Sequence, residues 1–319
     1  MIKREKSLKL NMVLNAVKGL MGIIFPLITF PYVSRILGVD NLGRYNFSNS
    51  IISYFILIAG LGISTYAVRE GARLRDKQKA FQDFANEMFT INVISTIVAY
   101  FGLGVLLVIS AKVQEYKVLL LILSLLIIFK TIGIDWIYSI FEDYAYITVR
   151  SIVFQFISLI LLFTMVKTED DVNIYALITV ISSGGSGILN YLHAKKYCRV
   201  KLTTKVNWKR HMRPILVLFA TSVTVTIYTS SDVTILGLLC GDTSVGLYSV
   251  STKVYSLVKT LLSSVLIVSI PRLSALLGSD DRGAFNEMAA DIYKTLISLV
   301  LPALCGIILL RKEIILILA

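Results

Sequence analysis

Stretches of about twenty predominantly apolar residues follow one another along this chain, near residues 11–36, 45–68, 84–110, 118–140, 146–166, 173–193, 214–237, 246–270 and 287–310. Twenty helical residues rise about 30 Å, the thickness of the hydrocarbon core of a bilayer. Inside hydrocarbon each backbone N–H and C=O has to be satisfied by the chain itself, so runs of this length and uniform apolarity are helices. Composition agrees: of 319 residues, 56% are hydrophobic and 16% charged, against about 25% charged in a soluble globule. The expected fold class is all-α, a polytopic integral membrane protein with nine spans. A tenth opens at Ile314, where IILILA ends the sequence.

The net charge of +12, from 32 Lys and Arg against 20 Asp and Glu, would suggest nucleic acid in a soluble protein. Here the basic residues stand between the apolar runs and act as topology signals, so no nucleic-acid partner is expected. With the N-terminus inside, the inner segments hold 20 Lys and Arg and the outer segments 6, which predicts a cytoplasmic N-terminus. The basic MIKREKSLKLN leads into an apolar run that continues to Leu37 without a small-residue cleavage site. It reads as a retained first span, not a cleaved signal. Cys198, Cys240 and Cys305 form no CxxC pair, and His193 and His211 assemble no ligand cluster, so neither a metal nor a cofactor is expected. No phosphate loop, nucleophile elbow or GxGxxG pattern stands in a suitable context, and the chain is expected not to be an enzyme.

A phrase repeats. Ile36-Leu37-Gly38, then Leu42-Gly43-Arg44-Tyr45 and Ser48, returns as Ile235-Leu236-Gly237, then Val245-Gly246-Leu247-Tyr248 and Ser251. The offset is 199 residues at the first element and 203 at the second, read as a four-residue loop insertion. Six spans fit in the interval. An even number preserves direction, so the repeats are parallel about an axis along the membrane normal, as in transporters built from two six-helix halves. The predicted organisation is a first six-span lobe over 1–194, a basic cytoplasmic loop over 195–213, and an incomplete second lobe over 214–319.

Charges inside spans need a partner, a wet cavity or an escape to the interface. At 100° per residue the eighth span gathers Ser249, Thr252, Lys253, Ser256, Lys259, Thr260, Ser263 and Ser264 on one face. The first span aligns Asn11, Asn15 and Lys18, the second Asn46, Asn49 and Ser53, and the seventh Thr221, Thr224, Tyr228, Ser231 and Asp232. These are the spans that the repeat makes equivalent, one with seven and two with eight. Lys18, Lys253, Lys259, Asn15, Asn49, Ser256 and Thr260 are therefore the expected lining of a central aqueous cavity, whose cationic character suits phosphate or carboxylate. The uncharged second-span stripe serves equally well for close helix approach. Asp232, a lone carboxylate at cavity depth, either pairs with a lysine or holds a coupling cation such as H⁺ or Na⁺. Lys130 and Asp135, five residues apart, are badly spaced for a same-helix pair and are candidates for the same roles. Trp136 and Tyr138 read as a membrane-interface belt. Lys195 to Arg213 read as a topology anchor that could also grip anionic headgroups.

Five segments carry a family resemblance: PLITFPYVSRILGVDNLGRYNFSNSI (26–51), IDWIYSIFEDYAYITVRSI (134–152), IYTSSDVTILGLL (227–239), VGLYSVSTKV (245–254) and IPRLSALL (270–277). In this order they resemble the bacterial polysaccharide-biosynthesis flippases, the O-antigen and capsular repeat-unit transporters of the multidrug/oligosaccharidyl-lipid/polysaccharide superfamily. The resemblance implies a two-lobed helical transporter in the bacterial inner membrane that moves an undecaprenyl-diphosphate-linked oligosaccharide from the cytoplasmic to the outer leaflet by alternating access. It implies membrane lipids, a polysaccharide polymerase and glycosyltransferases as partners. Family members have twelve to fourteen spans, so the expectation is a chain truncated at its C-terminus. Two rival readings are a multidrug or organic-cation antiporter of the same superfamily and a membrane-embedded glycosyltransferase or ligase, for which Glu142-Asp143 is the sole carboxylate pair in reach.

Overall fold

The computed structural model describes residues 8–278 and 282–318. All regular structure among them is helical: α1 Leu8–Gly60, α2 Ile63–Leu74, α3 Gln78–Ile109, α4 Ala111–Gln114, α5 Lys117–Gly133, α6 Asp135–Ile140, α7 Tyr144–Met165, α8 Val172–Gly184, α9 Ser186–Ala194, α10 Trp208–Leu239, α11 Asp242–Gly278, α12 Arg282–Leu309 and α13 Arg311–Leu318. Six helical stretches among the described residues are long and apolar enough to cross a membrane: Gly19–Leu74, Gln78–Ile109, Tyr144–Met165, Glu169–Ala194, Trp208–Leu239 and Arg282–Leu309. The chain is a multi-pass helical membrane protein. Hydroxyl groups enter these apolar helices by donating to the carbonyl one turn back, as Thr29 does to Phe25 at 3.0 Å and Ser48 to Arg44 at 2.8 Å, which removes an unpaired polar group from hydrocarbon.

The first stretch is twice the length of a span and breaks at Gly38, whose φ of 71° is left-handed and natural only to glycine. Pro26 and Pro31 lie within the helix, and the break is at neither. Contacts on the two sides of Gly38 establish a reversal: Tyr32 and Tyr45 meet α7 and α8 at Phe163 and Tyr175, each ring pair 4.6 Å apart, while Asn41 between them donates to the Glu169 carbonyl at 2.8 Å.

Two spans are shorter than their hydropathy. The second ends at Gly60, not 68; Leu61 and Gly62 turn with φ of 45° and 72°, and α2 follows as a separate amphipathic helix burying Ile63, Tyr66, Ala67 and Gly71. The fourth ends at Gly133 because Ile134 adopts φ 37°, and α6 is a separate turn of helix. Trp136 and Tyr138 therefore do not form an interface belt. They are 3% and 0% exposed, inside a cluster with Phe81, Phe84, Met88 and Ile215. That cluster lies at the Gly62 end of the molecule, where water makes burial favourable at roughly 25 cal/mol per Å². A second cluster, around Val33, Leu37, Phe47, Leu120, Leu123 and Ala176, lies at span depth. There lipid is as apolar as leucine, and cohesion comes from close contact.

α1 packs against α3, α5, α10 and α11. Its approach to α11 is reciprocal: a β-carbon at Gly43 would collide with the Asp242 carbonyl oxygen, and one at Gly246 with the Val39 carbonyl oxygen. Gly246 and Asp242 are each 203 residues beyond Gly43 and Val39, and Thr243 donates to Asp40, again 203 residues apart, at 2.6 Å. The same offset pairs Gly38 with Gly241, whose φ is 85°. The positive-φ glycine between α10 and α11 is thus Gly241, not Gly237. Gly237 lies inside α10 and admits the Phe47 ring, which a β-carbon would strike.

Adding a methyl at Gly43 or Gly246 overpacks this contact, by about 1–3 kcal/mol. Gly43→Ala and Gly246→Ala are expected to lower the thermal unfolding midpoint in detergent, whereas Gly104→Ala, with nothing within 4 Å of its β-carbon position, leaves it unchanged or raises it.

Candidate functional site

Beneath the reciprocal contact α1 and α11 diverge, and a cavity of about 750 Å³ opens between α1, α8, α10 and α11. Helical spacing decides what faces it. From α1 come Asn46, Asn49 and Ser53; from α10 the run Tyr228 to Val233; from α11 Tyr248, Thr252, Lys253, Tyr255, Ser256 and Lys259. Parts of the polar stripes of the second, seventh and eighth spans border this one hollow, while Thr221 and Thr224 of the seventh lie outside its lining.

The two lysines differ in their surroundings. The Lys253 ammonium lies 5.3 Å from the centre of the Phe30 ring, and Lys259 lies 5.4 Å from Tyr228 and 5.8 Å from Tyr255. Ring faces attract cations without neutralising them. Among the described residues neither lysine forms an ion pair. Asp232, the cavity's carboxylate, accepts a 2.7 Å hydrogen bond from Tyr248 and likewise has no ion pair among the described residues. Two ammoniums against one hydrogen-bonded carboxylate leave the lining net positive. Ser256 donates to the Lys253 carbonyl at 2.8 Å, so its oxygen lone pairs remain for a ligand.

Not all of the stripe is free for a ligand. Ser50 meets Thr234, and Ser53 meets Ser230, each at 3.0 Å, so these hydroxyls join α1 to α10 as well as bordering the cavity. Thr260 donates to the Ser256 carbonyl at 2.7 Å and stands outside the lining. The side chains of Asn11, Asn15 and Lys18 lie outside the described residues.

Lys130 and Asp135 sit elsewhere, in a hollow of about 170 Å³ between α5, α8 and α9. They are not paired with each other or with Asp232. Asp135 accepts from Asn190 at 2.6 Å and from Arg150 at 3.2 Å, and Arg150 also donates to the Asn190 amide oxygen. This triad ties α6, α7 and α9 together. Sequence inspection missed it, although an Asp and an Arg in spans adjacent along the chain were a signal for it. Also missed was the buried chain Tyr66–His211–Glu87, with contacts of 2.8 and 2.9 Å. Since a carboxylate only accepts, the imidazole Nε2–H donates to Glu87 while Nδ1 accepts from Tyr66. The Glu142-Asp143 pair is committed structurally: Glu142 to Arg75 at 3.2 Å, and the 6% exposed Asp143 to the Tyr197 hydroxyl at 2.6 Å.

Residues 8–277 match the family described as polysaccharide biosynthesis protein. The chain belongs to this family. Two relatives, from Escherichia coli (strain K12) and Shigella dysenteriae, bear the name "Putative O-antigen transporter". The first is 25% identical over 275 residues, covering 85% of this chain and 66% of the relative; the second is 24% identical over 260 residues, covering 80% and 64%. The chain thus spans just under two thirds of the length of these curated family members. No solved structure matches it.

Asn190 is 1% exposed and its amide bridges both charges of the triad. Asn190→Leu removes one hydrogen bond from each charge and leaves Asp135 and Arg150 only their own 3.2 Å ion pair; it is expected to cost about 1–3 kcal/mol, read as a lowered unfolding midpoint in detergent, with Leu189→Ala, at a 47% exposed position, much less affected.

Proposed function

We propose that the full-length protein flips undecaprenyl-diphosphate-linked oligosaccharide units from the cytoplasmic to the outer leaflet of the bacterial inner membrane, for surface polysaccharide synthesis. One observation carries this reading: Lys253 and Lys259 line a polar cavity without a neutralising carboxylate among the described residues. An unpaired cation at bilayer depth is unfavourable unless water or an anion meets it, and a diphosphate headgroup meets two at once. Lysine serves phosphate as a point charge and releases it without the fixed geometry of a bidentate arginine pair. The hydroxyls and Asn49 offer exchangeable hydrogen bonds to sugar hydroxyls, and Tyr228, Tyr248 and Tyr255 offer flat apolar faces to sugar rings. The polyprenyl tail stays in lipid.

In this reading the molecule is two parallel six-span lobes, residues 1–194 forming the first and 214–319 part of the second, joined by the basic loop 195–213, with the N-terminus cytoplasmic. The constant offset of 203 residues across the Gly43–Gly246 contact supports the repeat. Alternating access then consists of opening that contact on the outer side while closing the Gly62 end. A cation antiporter fits less well, because its cargo would face two ammoniums. A ligase fits less well, because Glu142 and Asp143 are both engaged by neighbouring side chains.

In cells lacking their own transporter, the full-length protein carrying Lys253→Ala and Lys259→Ala is expected to lose surface polysaccharide at least about tenfold, since each charge-assisted contact contributes about 1.5–3 kcal/mol, at unchanged membrane abundance. Lys→Arg at both sites restores part of it. Export at the unsubstituted level in the double alanine variant removes these lysines from the mechanism.

A further inference from the structure

Between α9 and α10 the chain runs from Lys195 to Asn207 without helix, yet it is fastened to one face of α3. The Gln82 side chain donates to the Arg199 carbonyl at 2.7 Å and accepts from the Arg199 N–H at 2.9 Å. Asn86 accepts from the Lys201 N–H at 2.9 Å, and Thr90 from the Thr203 N–H at 3.0 Å. Two repeats are in register here. Every fourth residue of a helix advances about 6 Å, and every second residue of extended chain about 6.6 Å, so 82, 86 and 90 meet 199, 201 and 203 one for one. Glu87 ends the seam by accepting from the Asn207 N–H at 2.9 Å.

The seam determines where the side chains point. Val200 turns inward and is 5% exposed, while Arg199 and Lys201 on either side of it are exposed. Against them lies a hollow of about 340 Å³ lined by Tyr191, Lys195, Arg199, Val200 and Lys201. Three of its five lining residues are cations and none is an acid. The Tyr191 hydroxyl is taken up by the Val200 carbonyl at 3.0 Å, which leaves its ring as an apolar wall.

We propose that this hollow binds the phosphate of an anionic lipid headgroup. It begins where the helical stretch Glu169–Ala194, long enough to cross the membrane, comes to its end, and so opens at headgroup depth. The arginine fork and two lysine charges match a phosphodiester, and basic pockets at helix ends are the usual seats of such headgroups. The backbone is already held by α3, so binding does not have to order a loop. The site is separate from the lysine cavity and does not depend on the transport reading.

The test uses the purified chain in nonionic detergent, its unfolding midpoint titrated with dioctanoyl phosphatidylglycerol, dioctanoyl phosphatidylcholine or inorganic phosphate. Three proteins are compared: the unsubstituted chain, Lys195→Ala/Arg199→Ala/Lys201→Ala, and Gln82→Leu/Asn86→Leu, which keeps every charge but releases the seam. Phosphatidylglycerol is expected to raise the midpoint saturably in the unsubstituted chain and phosphatidylcholine not to. The apparent affinity should fall about tenfold or more in both variants. Inorganic phosphate giving the same saturable shift would uphold the anion site and assign its ligand to solution instead of the leaflet. Equal shifts with both lipids, or a phosphatidylglycerol shift unaltered in the triple alanine variant, would overturn the proposal. A seam variant that folds and binds as before would overturn the role of the register.

Discussion

Backbone-to-backbone approach of α1 and α11 is the constraint on which the cavity depends. Gly43 lies against the Asp242 carbonyl and Gly246 against the Val39 carbonyl, so at that end the two helices are nearly as close as helices can come. Two residues further on, Tyr45 packs on Tyr175 of α8 and Tyr248 donates to Asp232 of α10, and beyond them the two helices part. The hollow between the diverging helices is then lined by whatever faces inward at period 3.6, which here is hydroxyl, amide and ammonium. Small residues at one end and polar ones beyond thus produce a tight helix contact beside a polar-lined hollow.

Membrane depth changes what each contact contributes. At the Gly62 end, the aromatic cluster around Trp136 and Tyr138 excludes water and is driven by it. Along the spans, cohesion rests on interhelical hydrogen bonds such as Ser50 to Thr234 and on shape. α12 packs on α11 and buries none of its own residues, leaving a wide apolar face for lipid or further protein.

That the chain is helical and crosses the membrane several times was legible in the sequence, because hydropathy length and helical period are properties of single residues at fixed spacing. Asn49, Lys253, Ser256 and Lys259 line one hollow, whereas Thr260, placed on the same stripe by helical spacing, lies outside its lining. What escaped was decided by backbone dihedrals or by partners distant in sequence. Ile134 ends a span with φ 37° in the midst of apolar sequence, which no hydropathy measure detects. Gly237 shares the Ile-Leu-Gly letters of Gly38, yet it is Gly241 that shares its positive φ, 85° against 71°. The Asp135–Asn190–Arg150 triad and the fastening of residues 199–203 to α3 each need the tertiary arrangement to bring residues 15 to 117 positions apart together.

The central claim is that the amines of Lys253 and Lys259 face water inside the bundle and not lipid. Cysteine placed at 253, 259 and, as a lipid-facing comparison, at the 77% exposed Val108, in a chain with its three native cysteines replaced by serine, tests it directly through the rate of modification by a charged, membrane-impermeant methanethiosulfonate in reconstituted vesicles. Modification at 253 and 259 at least about tenfold faster than at 108 is the expected result, because the thiolate reacts and only hydrated thiols ionise readily. Rates at 253 and 259 as slow as at 108 would contradict the account.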